Sequence, residues 1–403
     1  MVISAIYTCF TEGNYDLKGA KSRIGRKLSP KFVLEAGFEK LEDNFPKIAN
    51  ILNYHSKGRV LETEDFVEVI YRDHKLLNPA YSPHFKTLTE ILPNFDIESH
   101  KDIRIPIKSG FVEDAIIYGH IKAPIRISNG MAFGFAFPKQ ERLPWGDVYP
   151  LPLQRARRLK GDIIFIPRLI NIFHLMIEHI LPPFAFVVRN KGKIEFNRKI
   201  TFVTQVKFPV LNVFADYLNY IGFDCSVVEL APYDKIYADR VIMSRAVSDD
   251  GDLNYAYSEE LAELSSFLND KTSHIQVPEI CYIKRTDTPR RNILNQNQFV
   301  AELSKEGIQS FDFNFDNYMQ QIAIFSKSKT IISGHGAALT NIMWSNGKQK
   351  IVELFSKERR PKCMLNIASQ HNLAYHPLIG SSETGNGHFK FDICETIKYI
   401  KNL

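Results

Sequence analysis

Two stretches in which β-like and helix-like segments take turns restrict this chain more than any other feature. After Gly161, GDIIFIP reads as a strand, INIFHLMIEHIL as a helix stopped by Pro182 and Pro183, and KITFVTQV as a strand. LNVFADYLNYIG then reads as a helix ending at glycine and CSVVEL as a strand. Beyond a polar, acidic stretch, SDDGDLNYAYSEE, the alternation resumes. EICYI, IQSFDF, KTIIS and KIVELF are strand-like, and NQNQFVAELSKEG, DNYMQQIAIFSKS and GAALTNIMWSNG are the helices between them. Asn295 is read as an N-cap, Gln298 as its capping-box partner and Gly307 as the glycine just past the helix. Such alternation builds parallel sheets covered by helices, so the fold class is α/β with two Rossmann-like units in series.

The remainder is less regular. Between Asp102 and Pro138 the runs DIRIPI, DAIIYGHI, PIRIS and MAFGFAF predict a small antiparallel, β-rich element. Residues 1–100 hold helical patterns and Pro-punctuated aromatic loops without recognisable chemistry. At 403 residues the chain exceeds what one hydrophobic core usually organises. The expected divisions are an N-terminal extension over 1–100, a first Rossmann-like domain with the β-rich insertion over 101–265, a second over 266–385, and a C-terminal helix over 386–403 that crosses back to the first domain.

Charge and cysteine usage narrow the classes further. A formal net charge of +6 is too small for a nucleic-acid coat, so no nucleic-acid partner is expected. The densest basic run, Arg155, Arg157, Arg158 and Lys160, reads as a solvated face, with contact to an anionic membrane surface as the other option. Five dispersed cysteines without CxxC spacing indicate reduced, structural thiols. No signal-like leader and no apolar run of about 20 residues is found, so the expected location is cytoplasmic.

The stretch TIISGHGAALTNIMWSNGKQKIVELF carries the first candidate site. A strand ends at Ser333, and Gly334, His335 and Gly336 form the turn into a helix, where bare backbone N–H groups and the helix dipole suit a pyrophosphate. The next strand brings Glu353 to the same sheet edge, where a carboxylate can accept from ribose hydroxyls. KRTDTPRRN, after the first strand of the same unit, adds Lys284, Arg285, Arg290 and Arg291, cations matched to a diphosphate. A dinucleotide-dehydrogenase motif fits worse, because Leu339 occupies the third glycine's position and the turn follows the third strand of its unit.

The second candidate site is a helix face. Asn171, His174 and Glu178 share one side of an otherwise apolar helix. Burying an imidazole and a carboxylate costs several kcal/mol unless they are paired. Either His174 and Glu178 bond to each other, or they line a cleft in which one of them is a general base. His179 points elsewhere and reads as structural.

Three motifs in order resemble glycosyltransferase family 61. Residues 173–182, FHLMIEHILP, are similar to its His- and Glu-bearing helix, with Leu175 in place of the usual Trp. Residues 283–295, IKRTDTPRRNILN, resemble its Arg-rich loop. Residues 334–341, GHGAALTN, are close to its His-Gly-Ala-Gly-Leu-Thr-Asn signature, with Ala338 in place of the second Gly, and Glu353 follows. The resemblance implies a GT-B architecture, two Rossmann-like domains with parallel sheets facing a central cleft, and an inverting sugar transfer that needs no cofactor and no metal. It implies that Arg285, Arg290 and Arg291 hold the diphosphate together with Ser333, Gly334, Gly336 and Ala337, that His335 and Asn341 contact phosphate or sugar, and that Glu353 binds ribose. Glu178 would be the base and His174 its orienting partner, or the reverse. The expected partners are a nucleotide-sugar donor, UDP being the family's usual choice, and a glycan or lipid-linked glycan acceptor, with bacterial capsular or surface polysaccharide synthesis as the setting and peripheral contact with the inner membrane or other enzymes of that synthesis. A non-catalytic nucleotide-sugar or glycan binding module is the alternative, and a nucleotide-sugar epimerase or hydrolase the third option. Asp250 to Asp252 forms an Asp-x-Asp in the polar loop, a minor candidate for a metal site.

Overall fold

The computed structural model describes residues 58–59, 66–74, 103–118, 125–126, 132–133, 155–168, 172–231, 234–246, 255–285, 290–314, 317–382 and 386–403. The first sheet contains β1 (Gly58–Arg59), β2 (Phe66–His74), β3 (Ile103–Tyr118), β4 (Ile125–Arg126), β5 (Ala132–Phe133), β6 (Arg155–Ile166), β7 (Lys199–Thr204), β8 (Asp224–Glu229) and β9 (Asp234–Ala246). Its order is β1-β5-β4-β3-β9-β6-β7-β8, with β2 also paired to β3. The segment β9-β6-β7-β8 is parallel, as the alternating pattern requires.

The expected small antiparallel element is instead part of this sheet. DIRIPI and DAIIY are two parts of a single 16-residue strand, β3, which pairs antiparallel with β9 and with β2. Ile105, Ile107, Val112, Ala115 and Ile117 are fully buried on it, so core burial overrides the Gly punctuation that suggested separate strands. β2 lies within the expected extension over 1–100 and is hydrogen-bonded into the same sheet. The basic run forms the first half of β6, where Arg158 pairs with Asp239 on β9 at 2.6 Å.

Between β6 and β7 run α1 (Ile172–His174), a π-helical segment (Leu175–Ile180) and α2 (Leu181–Asn190). Pro182 and Pro183 do not stop the helix, contrary to expectation. They occupy the opening positions of α2 just after the widened π turn. Proline has no N–H to donate, and the first turn is where that loss is tolerated. The next helices are α3 (Leu211–Tyr220) and α4 (Ser258–Lys271). The stretch ahead of α4 is not wholly solvated, since Tyr255 and Tyr257 are buried.

The second sheet holds β10 (Ile280–Ile283), β11 (Gln309–Phe311), β12 (Thr330–Gly334), β13 (Lys350–Ser356), β14 (Ala374–Ser382) and β15 (Phe389–Lys390), in the order β11-β10-β12-β13-β14-β15. All pairs are parallel except β14 with β15. The connecting segments are α5 (Gln296–Lys305), α6 (Tyr318–Lys327), a 3₁₀ helix (Ala337–Trp344), α7 (Cys363–Gln370) and α8 (Ile393–Lys401). Asn295 is the N-cap of α5, but its side chain binds the backbone of Phe391 beside β15 instead of capping its own helix. Gly307, with φ +74, ends α5 as expected: Ile308 N–H reaches Leu303 O at 2.9 Å in a Schellman-type closure.

α8 packs on α5 in the apolar cluster of Phe299, Leu303, Ile397 and Ile400, so it stays with the second sheet instead of crossing back to the first. One continuous core joins the two units, and Phe214 of α3 meets Trp344 of the 3₁₀ helix at 5.8 Å between ring centroids. Cys225, Cys281 and Cys363 are buried and Cys394 is exposed, all as free thiols. No helix among the described residues is long and apolar enough to cross a membrane.

At this junction His371 Nε2 lies 2.6 Å from the Tyr255 hydroxyl, and burial depresses its pKa to about 4. A histidine with a folded pKa below its unfolded value near 6.5 stabilises fully above that value and loses the contribution as pH falls toward 4. The urea midpoint is therefore expected to fall between pH 6.5 and 4, and His371→Phe should flatten part of that loss. An unchanged slope in the variant would reject the assignment.

Candidate functional site

In the second sheet the chain leaves β10 toward β11 on one side and returns to β12 on the other. The strand order therefore reverses between β10 and β12, and ligands of open α/β sheets bind in the crevice at the carboxyl ends of such strands. Both sequence motifs converge there. β10 ends at Ile283 and runs into Lys284 and Arg285, and β12 ends at Gly334 ahead of His335 and Gly336.

Arg285 ties the motifs together. Its Nη1 donates to His335 O at 2.6 Å and its Nη2 to Arg290 O at 3.1 Å. Its backbone is gripped by the Gln296 amide, which accepts from Arg285 N at 2.8 Å and donates to Arg285 O at 3.0 Å. Gly336 is needed for this path. A Cβ there would lie 2.2 Å from Arg285 Nη1, whereas the φ of 176° is extended backbone open to any residue. The glycine thus serves close approach and not an unusual dihedral. The segment after it is a 3₁₀ helix, not the α-helix expected, and its first intrahelical bond runs from Leu339 N to Gly336 O. The amides of Ala337 and Ala338 precede that bond at the mouth of the crevice.

His335 is held from behind. Its Nδ1 lies 2.5 Å from Glu353 Oε1, and its ring stacks on Phe355. Tyr375 donates its hydroxyl to the other carboxylate oxygen. Parallel pairing of Ser333 with Glu353 sets this contact. A carboxylate on Nδ1 fixes the tautomer and orientation of the ring and leaves Nε2 for a ligand. Glu353 is fully buried, with both oxygens taken, so in this conformation it offers none to the ribose expected from sequence. Asn341 is also engaged locally, donating to Ala338 O and Gln321 and accepting from Trp344 Nε1.

The cations are crowded. Arg285 is pushed down to about 10, first by burial and then by the charge of Arg291. Arg291, in left-handed backbone at φ 60°, is lowered by burial and next by Arg359. Lys284 does not join them, being paired with Asp312. Sequence reasoning missed Arg359, Tyr375 and Gln296. A signal for the first was present in SKERRPK, which starts where β13 ends at the same sheet edge.

The facing candidate lies in the first unit. There the strand order reverses between β6 and β9, and the π turn follows β6. Glu178 is half-buried in that turn, close enough to Arg245 at the end of β9 and to Tyr257 for its charge to act on both. Arg245 is lowered by burial, which Glu178 partly offsets. π turns recur at functional sites, and nothing in the periodicity announced this one. α1, which includes His174, packs against the 3₁₀ helix beyond Gly336, so the two motif-bearing segments meet. The His174 side chain, Asn171, residues 286–289 and the Asp-x-Asp at 250–252 lie outside the described set. His179 is buried. No group of three or more His, Cys, Asp or Glu residues placed to hold a metal occurs among the described residues.

The model of the family Glycosyltransferase 61 matches residues 172–352. The match runs from the start of α1 to the residue before Glu353, so it covers the π turn, Arg285, Arg291 and the Gly334–Gly336 turn but not Glu353, Arg359 or Tyr375, and it supports this family and with it a glycosyltransferase, an enzyme that uses a sugar donor and a glycan acceptor. No curated protein matches the chain.

Proposed function

We propose that the protein is an inverting, metal-independent glycosyltransferase that moves a sugar from a nucleoside-diphosphate donor, a UDP-sugar, to a hydroxyl of a glycan or lipid-linked glycan. The observation that carries this is the bridge at the second strand reversal, where Arg285 passes over Gly336 to the carbonyls of His335 and Arg290 and so joins the arginine segment to the glycine turn. As the bond between the anomeric carbon and the diphosphate oxygen breaks, negative charge grows on that oxygen. Arg285, Arg290, Arg291 and the amides of Ala337 and Ala338 would stabilise that charge. His335, oriented by Glu353 and Tyr375, presents Nε2 to phosphate or sugar.

The acceptor hydroxyl attacks the opposite face of the anomeric carbon and gives its proton to Glu178. His174 lies one turn earlier and orients the base or the donor. The two units form a GT-B arrangement, and the product is a surface or capsular polysaccharide of a bacterium, extended on the cytoplasmic side in peripheral contact with the inner membrane.

Thermal unfolding with a panel of nucleoside diphosphates and nucleotide sugars tests the donor site. A ligand at 100 times its Kd stabilises by about 2.7 kcal/mol through mass action. One nucleotide class is expected to raise the Tm by several degrees, and Arg291→Ala to abolish the rise. No rise with any of them would overturn the donor assignment.

A further inference from the structure

Helices α3 and α4 carry an aromatic surface that no step of the proposed reaction uses. Tyr220, the last residue of α3, is 72% exposed. Its ring lies 5.1 Å from that of Phe267 on α4, with 37° between the planes, so the two form one shallow ledge. The ledge is held from beneath. Tyr217 is buried, packs edge-on against Phe267 at 5.6 Å and donates its hydroxyl to Glu263 at 2.8 Å. Lys271 fixes one side, with its Nζ 4.8 Å from the centre of the Phe267 ring and 2.6 Å from Asp216 Oδ2.

Size and charge select the occupant. Two aromatic side chains offer at most about 500 Å² of contact, below the roughly 800 Å² per partner of a stable protein interface. The rim holds two carboxylates, Asp216 and Glu263, against the one ammonium of Lys271. That balance disfavours phosphate-bearing ligands, both lipid headgroups and nucleic acids that could stack a base on the ring. A neutral pyranose fits instead. It matches one aromatic ring in size, lays a face of C–H groups on it, and directs hydroxyls outward to donate to Asp216 and accept from Lys271. Because Tyr217 and the Asp216–Lys271 pair already order the ledge, little side-chain freedom is lost on binding. α3 starts past the carboxyl end of β7 and runs for 10 residues toward the amino end of β8. Tyr220 therefore stands about 15 Å from the sheet edge that bears the π turn, a distance for a chain of several sugars.

We propose that Tyr220 and Phe267, with Asp216 and Lys271 at the rim, form a separate binding site for a neutral glycan chain, which holds a distant part of the acceptor on the enzyme. The proposal uses the glycan acceptor implied by the family match and is independent of the donor-site reading.

The test is affinity electrophoresis of the full chain in native gels containing a β-glucan, a galactomannan, a dextran or polygalacturonate, for wild type, Tyr220→Ala and Tyr220→Phe. Tyr220 is exposed, so neither change threatens the fold, and the melting temperature verifies this. Wild type is expected to be retarded by at least one of the three neutral polysaccharides, since stacking tolerates many sugars. Tyr220→Ala should weaken that binding by about tenfold, the scale of one lost aromatic contact, and Tyr220→Phe should keep most of it. No retardation by any neutral polysaccharide, or retardation that Tyr220→Ala leaves unchanged, overturns the site. A Tyr220-dependent retardation confined to polygalacturonate overturns the neutral ligand class. None of these outcomes touches the donor site, which the nucleotide titration tests separately.

Discussion

Glu178→Gln is expected to lower kcat by about 10²–10⁴-fold, the usual contribution of a general base, while donor-induced stabilisation stays as in wild type. Glutamine keeps the size and hydrogen-bonding shape of glutamate but accepts no proton. The half-buried position in the π turn makes a purely structural loss small. Initial rates of nucleoside-diphosphate release with saturating acceptor, taken alongside the Tm shift with donor alone, separate the two effects. A parallel loss of donor binding and kcat would mean that Glu178 organises the junction through Arg245 and is not the proton acceptor.

Gly336→Ala should produce the second large effect, in binding instead of chemistry. The added methyl would overlap Arg285 Nη1, and a guanidinium at the end of a flexible side chain moves more easily than backbone. The global Tm should therefore change little. The hydrogen bond to His335 O would be lost and the guanidinium pushed out of the cluster. Hydrogen bonds involving charged groups contribute about 1.5–3 kcal/mol, so donor affinity is expected to fall by about ten- to hundredfold. Wild-type affinity in Gly336→Ala would show that Arg285 does not have to follow this path. Gly334→Ala is milder by the same measure, since its nearest neighbour would be Ile293 Cδ1 at 3.0 Å.

Strand and helix periodicity in residues 161–356 was readable because each segment carries its own hydrophobic rhythm, and the Gly334–Gly336 turn was readable because glycines flank a strand end. Local rhythm also misled. The prolines at 182 and 183 look like a stop, yet a π turn ahead of them lets the helix continue to Asn190. The Gly-punctuated runs near 110 look like short hairpins, yet pairing with β9 makes one long strand.

What the sequence by itself determined is the α/β alternation, the two units, the glycine turn and its neighbouring arginines, all of which depend on residues close together in the chain. Tertiary structure alone decided the partners. Glu353 faces His335 and Tyr375, Arg285 spans 50 positions to His335 O, and Arg359 stands beside Arg291. These contacts follow from strand order and register, which depend on how whole sheets and helices bury their apolar faces. Side-chain period is the same in every register of a strand, so no local pattern specifies which carboxylate meets which imidazole.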